Sequence, residues 1–323
     1  MRKNAGMKNA QSPIESSHEV KNPSPPSLTM GWVEWGLLIS LSIVWGGSFL
    51  FGRIAVLEIP PLTLVFLRVS LAALALHIYV LFVVQNGSRK PAPWRDFALM
   101  GLFNNIIPFS LIFYGQQEIG AGLAAIVNAM TPIWALIFAH FTTSDERIAL
   151  RKIFGILLGF IGVTALIGQT ALDGLSASVW AQIAVLGATI SYGVASVFGR
   201  RFAELPPVET AKGQLTMSSL LIIPLMLWFE QPWQISMPSG AAIVSTILLA
   251  LVCTAFAYIL FFEILKRAGA VNVALVTLLI PPSAILLGGV FLGEQLTMGE
   301  LWGMALILAG LLVIDGRLLD RFR

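Results

Sequence analysis

The chain has 323 residues, 57% of them hydrophobic and only 11% charged, with a mean hydropathy of +0.83, whereas a soluble domain carries about 25% charged residues. That balance excludes a soluble globular domain and describes an integral membrane protein. The net charge of +3 comes from basic residues scattered at segment ends, which form no stripe suited to nucleic acid; Cys253 stands alone, so no intramolecular disulfide is available; and His18, His77 and His140 are too dispersed to ligate a metal.

Residues 1–30 hold Arg2, Lys3, Lys8, Lys21 and the run Pro23-Ser24-Pro25-Pro26-Ser27, with no apolar core of the length a signal peptide needs. They read as a disordered, retained cytoplasmic tail. Ten apolar segments follow, at 34–54, 62–84, 97–116, 119–141, 150–168, 179–200, 208–229, 241–262, 270–292 and 298–315, each near the roughly 20 residues that cross a hydrocarbon core. With the N-terminus placed in the cytoplasm, 18 of the 20 Lys and Arg residues fall on cytoplasmic segments, as the positive-inside rule requires. The exceptions are Arg53, at the outer end of the first segment, and Arg68, inside the second. The sequence therefore predicts an all-α membrane protein of ten transmembrane helices, multi-pass in a bacterial-type plasma membrane, with both termini cytoplasmic.

An internal repeat organises these segments. At a shift of 149, six of the sixteen residues from Gly120 coincide with those from Gly269: Gly120, Ala121, Ala125, Val127, Pro132 and Ala135 match Gly269, Ala270, Ala274, Val276, Pro281 and Ala284. At a shift of 147, Trp45-Gly46 meets Tyr192-Gly193, and Pro60-Pro61 answers Pro206-Pro207 nearby. At a shift of 148, Gly155 and Gly162 meet Gly303 and Gly310. The two units run over 34–168 and 179–315. Five helices is an odd number, so the second unit enters the membrane from the opposite side, giving the inverted repeat found in many secondary transporters.

Several runs then carry a family resemblance: Trp45-Gly46-Gly47-Ser48-Phe49, Leu67-Arg68 after Pro60-Pro61, Gly120-Ala121-Gly122-Leu123-Ala124-Ala125 leading to Thr131-Pro132, and Leu292-Gly293-Glu294. In this order and spacing they resemble the EamA-type transporters of the drug/metabolite transporter superfamily, over about residues 34–315. The resemblance implies two five-helix units around a cavity that opens to alternate sides, and export or exchange of small metabolites, amino acids among them. The first copy departs from the pattern at Thr143-Ser144-Asp145-Glu146, so no functional weight falls on the acidic turns.

Polar groups in lipid-spanning helices are costly and usually face the bundle interior. Those recurring in both halves point at a shared axis: Asn105 corresponds to Thr254, Asn128 to Thr277, and Phe109 to Tyr258. Trp45 and Ser48, with Tyr192 and Ser196 in the second half, add aromatic and hydroxyl pairs at helical spacing. The candidate substrate-binding residues are thus Trp45, Ser48, Arg68, Asn105, Asn128, Tyr192, Thr254, Tyr258 and Thr277. For Asn105, Asn128, Thr254, Tyr258 and Thr277 the alternative reading is close helix packing, and for Trp45 and Ser48 with Tyr192 it is anchoring at the membrane interface. For Arg68 the alternatives are a substrate carboxylate and a structural pair with Glu58 or Glu118. Gly155-x-x-x-Gly159 and Gly288-Gly289 suit helix packing or a homodimer. Glu263 with Lys266 and Arg267 reads as a surface ion-pair arrangement. No phosphate-cradling motif supports ATP drive, and no cofactor or metal is expected. The partners are the lipid bilayer and a small-molecule substrate, with no nucleic acid. Of two functional classes, a membrane-embedded enzyme or lipid-handling protein would need a catalytic constellation that is not visible, which leaves the secondary transporter ahead.

Overall fold

A computed structural model describes residues 30–83, 92–142, 150–171 and 176–315. The tail at 1–29 and the acidic turn at 143–149 lie outside the described residues. The described chain holds no strand and forms ten apolar helical segments: α1 (Trp32–Val56), α2 (Pro61–Val83), α3 (Trp94–Gln116), α4 (Ala121–Thr142), α5 (Leu150–Ala171), α6 (Ala177–Phe198), α7 (Pro207–Phe229), α8 (Gly240–Gly269), α9 (Val276–Leu292) and α10 (Met298–Asp315). Eight are long and apolar enough to cross a membrane. The shorter pair are α9 and the apolar stretch Lys152–Gly168 of α5. The protein is a multi-pass membrane protein.

Two helices depart from the lengths read in the sequence. α8 runs past residue 262 to Gly269, because Glu263 and Arg267 pair one turn apart and carry the helix through its charged end. Gly269 then takes φ 80°, a conformation that favours glycine, and the chain turns at 274–275 before α9 begins at Val276 rather than 270. α4 is likewise interrupted at Ala129 and Met130. Pro132 has no N–H for the carbonyl four residues back, and the Thr131 hydroxyl donates to that Asn128 carbonyl instead, at 2.9 Å.

The halves interleave. α1 packs on α8 and α9, α6 packs on α3 and α4, α2 packs on α7, and α5 packs on α10. This pattern maps onto itself when the halves are exchanged. Glycines at matching places allow the close approach. A Cβ on Gly46 would meet Ser283 Cβ at 2.7 Å, and one on its counterpart Gly193 would meet Trp134 Cβ at 2.7 Å; residues 283 and 134 are themselves counterparts. Gly155 faces Gly310, and Gly162 faces Gly303, across the seam of α5 and α10. Gly159 abuts Ile133, and Gly288 abuts Glu294 and Ala121. The glycine faces that suited a homodimer thus make close helix contacts within the chain.

One end of the bundle is tied by carboxylates that cross between the halves. Glu230, after α7, accepts from the N–H groups of Leu62 and Thr63 at 2.8 and 2.7 Å and from the Thr63 hydroxyl at 2.8 Å. Glu294, after α9, accepts from the N–H groups of Ala121 and Gly122 at 2.7 and 3.0 Å. Glu58, after α1, accepts from the N–H and hydroxyl of Ser239 at 2.6 Å each. Each acid satisfies the orphan N–H groups that open a helix, where the helix dipole favours negative charge. The Leu292-Gly293-Glu294 turn therefore has a definite structural task, contrary to the weight it drew from sequence. Arg53 joins the same end by donating to the Gln116 carbonyl, and the Gln116 amide donates to the Phe49 carbonyl at 2.8 Å.

Candidate functional site

At the middle of the bundle, α3 and α8 each contain a π-helical turn at corresponding places, Leu102–Ile106 and Leu251–Phe256. Such turns widen the backbone ladder and occur often at functional sites. In α3, Pro108 removes the donor that would reach the Asn104 carbonyl, which favours the wider register. In α8 the matching residue is Ala257, and a hydroxyl takes part instead: Thr254 donates to the Leu249 carbonyl, five residues back, at 2.8 Å. The Phe103 carbonyl of the first turn accepts from Ser191 of α6 at 2.7 Å.

Arg68 of α2 reaches the second of these turns. Its Nε donates to Thr254 Oγ1 at 2.9 Å, its guanidinium lies 3.7 Å from the centre of the Phe109 ring and 5.8 Å from that of Phe113, and the residue is only 6% exposed. A desolvated cation on an aromatic face gains about 2 kcal/mol, whereas burying a charge without a counter-ion costs several kcal/mol. Among the described residues Arg68 has no carboxylate partner: Glu58 is engaged by Ser239, and Glu118 is exposed at the turn after α3. This removes the structural pair offered by either acid. Cys253 immediately precedes Thr254 on α8, and Tyr258 follows it one turn on.

A neutral network stands opposite. Asn104 donates to Gln214 Oε1 at 3.1 Å and to the Tyr258 hydroxyl at 3.0 Å, and Gln214 Nε2 donates to the same hydroxyl at 3.3 Å. Asn105 donates to Ser218 at 2.9 Å, and Ser218 donates to the Gln214 carbonyl at 2.7 Å. An aromatic row extends from this network: Tyr258 on Phe262 at 5.9 Å, Phe262 on Phe261 at 5.5 Å, and Phe261 on Trp45 at 5.7 Å. Two grooves, one lined by Leu157, Phe160 and Ile161 and the other by Leu62, Tyr114 and Phe229, lie away from this centre.

The structure brings Arg68 onto Thr254, with Tyr258 one turn further along α8, Trp45 at the end of the aromatic row and Asn105 bonded on the α7 side; Tyr192 is half-buried on α6 and makes no hydrogen bond to a described residue. Ser48 is half-buried one turn from Trp45 and makes no hydrogen bond to a described residue. Asn128 and Thr277 stand apart. Asn128 occupies the interruption of α4 with a buried, unpartnered Oδ1, and the Thr277 hydroxyl donates to the Ala274 carbonyl of its own segment. Sequence reading passed over Asn104, Gln214 and Ser218. A signal for Gln214 existed: at the offset of 146 that aligns Pro60-Pro61 with Pro206-Pro207, Gln214 occupies the place of Arg68.

Comparison with known proteins agrees with this architecture. The model of the EamA-like transporter family matches residues 33–168 and again 179–315. YoaV of Bacillus subtilis, an uncharacterized transporter, is 23% identical over 279 residues, 85% of this chain and 94% of that protein. A probable amino-acid metabolite efflux pump of Salmonella typhimurium is 27% identical over 86% of this chain and 93% of its own length. The inner membrane transporter YedA of Escherichia coli K12, uncharacterized, is 27% identical over 87% of this chain and 90% of its own. A solved crystal structure shares the fold with a TM-score of 0.64 at 21% identity, covering 90% of this chain and 98% of that one. The three relatives are named as transporters or an efflux pump, not enzymes, and the chain belongs to the EamA-like transporter family.

Proposed function

We propose that the protein is a secondary transporter that exports or exchanges small metabolites, such as amino acids or related zwitterionic and anionic compounds, by alternating access. The observation that carries this reading is Arg68: a buried cation that belongs to one half, bonds the π-helical turn of the other, and has no carboxylate among the described residues. A charge held at an interface between halves, where their relative motion changes its surroundings, suits a site that binds on one side and releases on the other. The name of the Salmonella relative, an amino-acid metabolite efflux pump, supports the same substrate range.

The reading includes ten transmembrane helices arranged as inverted repeats over 34–168 and 179–315, with both termini cytoplasmic and the protein in the inner membrane. The tied end, with turns at 57–60, 117–120, 230–239 and 293–297, then faces outward. The candidate site comprises Arg68, Tyr192, Thr254 and Tyr258 at its centre, with Trp45, Ser48 and Asn105 around it and Asn128 and Thr277 on the interrupted helices. The same glycine seams that pack within the chain leave a homodimer to other surfaces. Two measurements test this. A reporter fused after Arg323 should read cytoplasmic and one near Asp173 external; opposite readings would sink the inverted repeat. Purified protein in proteoliposomes should exchange labelled metabolites from a substrate panel, and failure on every member would remove the transport reading.

A further inference from the structure

The hydrogen-bond balance of the centre is one-sided. Arg68 uses Nε on Thr254, and its two terminal nitrogens make no hydrogen bond to a described residue. The Tyr258 hydroxyl accepts twice, from Asn104 and Gln214, so its own proton remains to be donated. The Tyr192 hydroxyl of α6, half-buried, makes no hydrogen bond to a described residue. Donors of α2 and α8 thus meet at the second π-helical turn, where Arg68 bonds Thr254 and Tyr258 follows one turn on, with no carboxylate of the described chain to receive them. The acids of the described chain that might have served are elsewhere: Glu58, Glu230 and Glu294 are consumed at the tied end, and Glu263 by Arg267. No carboxylate of the described chain pairs with Arg68 to hold an ammonium ion, and the amide oxygens that the α3 turn offers, on Asn104 and Asn105, are neutral.

We infer that the group this centre recognises is a carboxylate, that the rest of the molecule it takes is apolar and lies along the row Tyr258, Phe262, Phe261 and Trp45, and that an ammonium group contributes nothing to binding. The inference rests on the reading of Arg68 as a substrate-binding residue and narrows its substrate class to organic acids with an apolar body. The chemistry is that of a planar fork: two N–H groups of a guanidinium match two carboxylate oxygens, and hydroxyl donors complete the shell. A zwitterion would be accepted for its carboxylate alone. A simple amine would meet the Arg68 charge with nothing to offset the repulsion.

The test uses three probes that differ by one charge each: phenylalanine, 3-phenylpropionate, which lacks only the ammonium, and phenethylamine, which lacks only the carboxylate. Binding to the purified full-length protein is read by thermal stabilisation and by competition among the probes. The expected result is that 3-phenylpropionate binds at least as tightly as phenylalanine, and that phenethylamine binds about 10- to 100-fold more weakly, the loss that follows removal of a charge-assisted hydrogen bond. Arg68→Gln should remove the preference for acid over amine. Because Arg68 also ties α2 to α8, Tyr192→Phe provides the second variant: it deletes a hydroxyl that no described residue uses, and should weaken 3-phenylpropionate while leaving unliganded thermal stability unchanged. Tighter binding of phenylalanine than of 3-phenylpropionate by tenfold or more, equal binding of the amine, or no binding of the acid overturns the inference. Acid binding without exchange in proteoliposomes would instead overturn the transport reading and leave this substrate class standing.

Discussion

The tied end and the centre of the bundle treat charge in opposite ways. At the tied end three carboxylates meet backbone donors that open helices of the other half, and Glu230 receives two such bonds and a third from the Thr63 hydroxyl. At the centre a guanidinium lies on the Phe109 ring and bonds Thr254, one turn from the Tyr258 hydroxyl, and no carboxylate of the described chain pairs with it. One region is complete by itself and closes the gap between halves. The other is complete only when something supplies the acceptor. A buried donor without a partner costs free energy, so the contrast separates contacts that hold a conformation from contacts that wait for a ligand.

The largest effect should come from altering the centre. Arg68→Lys keeps the charge but loses the planar fork, and uptake of carboxylate substrates in proteoliposomes should fall by about 10- to 100-fold with the amount of membrane-inserted protein unchanged. Unaltered uptake would show that the fork is not used. Loss of the protein from the membrane would make the Arg68 contact to Thr254 structural and dissolve the contrast.

The tied end can be loosened without touching the centre. Combining Glu230→Gln with Glu294→Gln weakens two sets of charge-assisted bonds between halves and should favour opening at that end. Cys253 is the sole thiol, 1% exposed and beside Thr254. An impermeant thiol reagent added on the side of the tied end should label it about fivefold faster in the double variant, given about 0.5 kcal/mol for each weakened helix cap, and bound substrate should slow the labelling. Equal rates would mean that these carboxylates do not restrain access to the centre.

A smaller effect is expected from one cap alone. Glu294→Ala leaves the N–H groups of Ala121 and Gly122 unsatisfied and should cost about 1 kcal/mol, read as a fall of a few degrees in the thermal transition. Glu118→Ala, at an exposed position of the same end, should leave the transition where it is. Equal effects of the two would show that the end is not held through its caps.

The smallest effect is in the pH response. The Ser239 hydroxyl and N–H hold the Glu58 carboxyl below its ordinary value of 4.5. A depressed folded pKa means that the contribution is fully present above 4.5 and is lost as pH falls through the folded value. Stability should therefore decline more steeply in wild type than in Glu58→Gln as the pH is lowered below about 4.5. Parallel declines would show that Glu58 does not contribute.

What the sequence determined on its own was where apolar helices form, where they repeat, and which charge is out of place. The segment read at 62–84 became Pro61–Val83, and that at 298–315 became Met298–Asp315, because backbone groups in an apolar solvent must bond within a helix. Arg68 stood out because an arginine inside such a segment is expensive. The sequence did not mark the end of α8, since Lys266 and Arg267 end the apolar run while the Glu263 pair sustains the helix. Nor did it choose partners. A lipid-facing leucine and a helix-facing leucine are both apolar, so periodicity says little about which faces meet. Arg68 finds Thr254 186 positions away, and Glu294 finds Ala121 at 173. Only the interleaving of the two halves decided that the acids would be used at one end and that the arginine would be left with Thr254 and two phenylalanine rings.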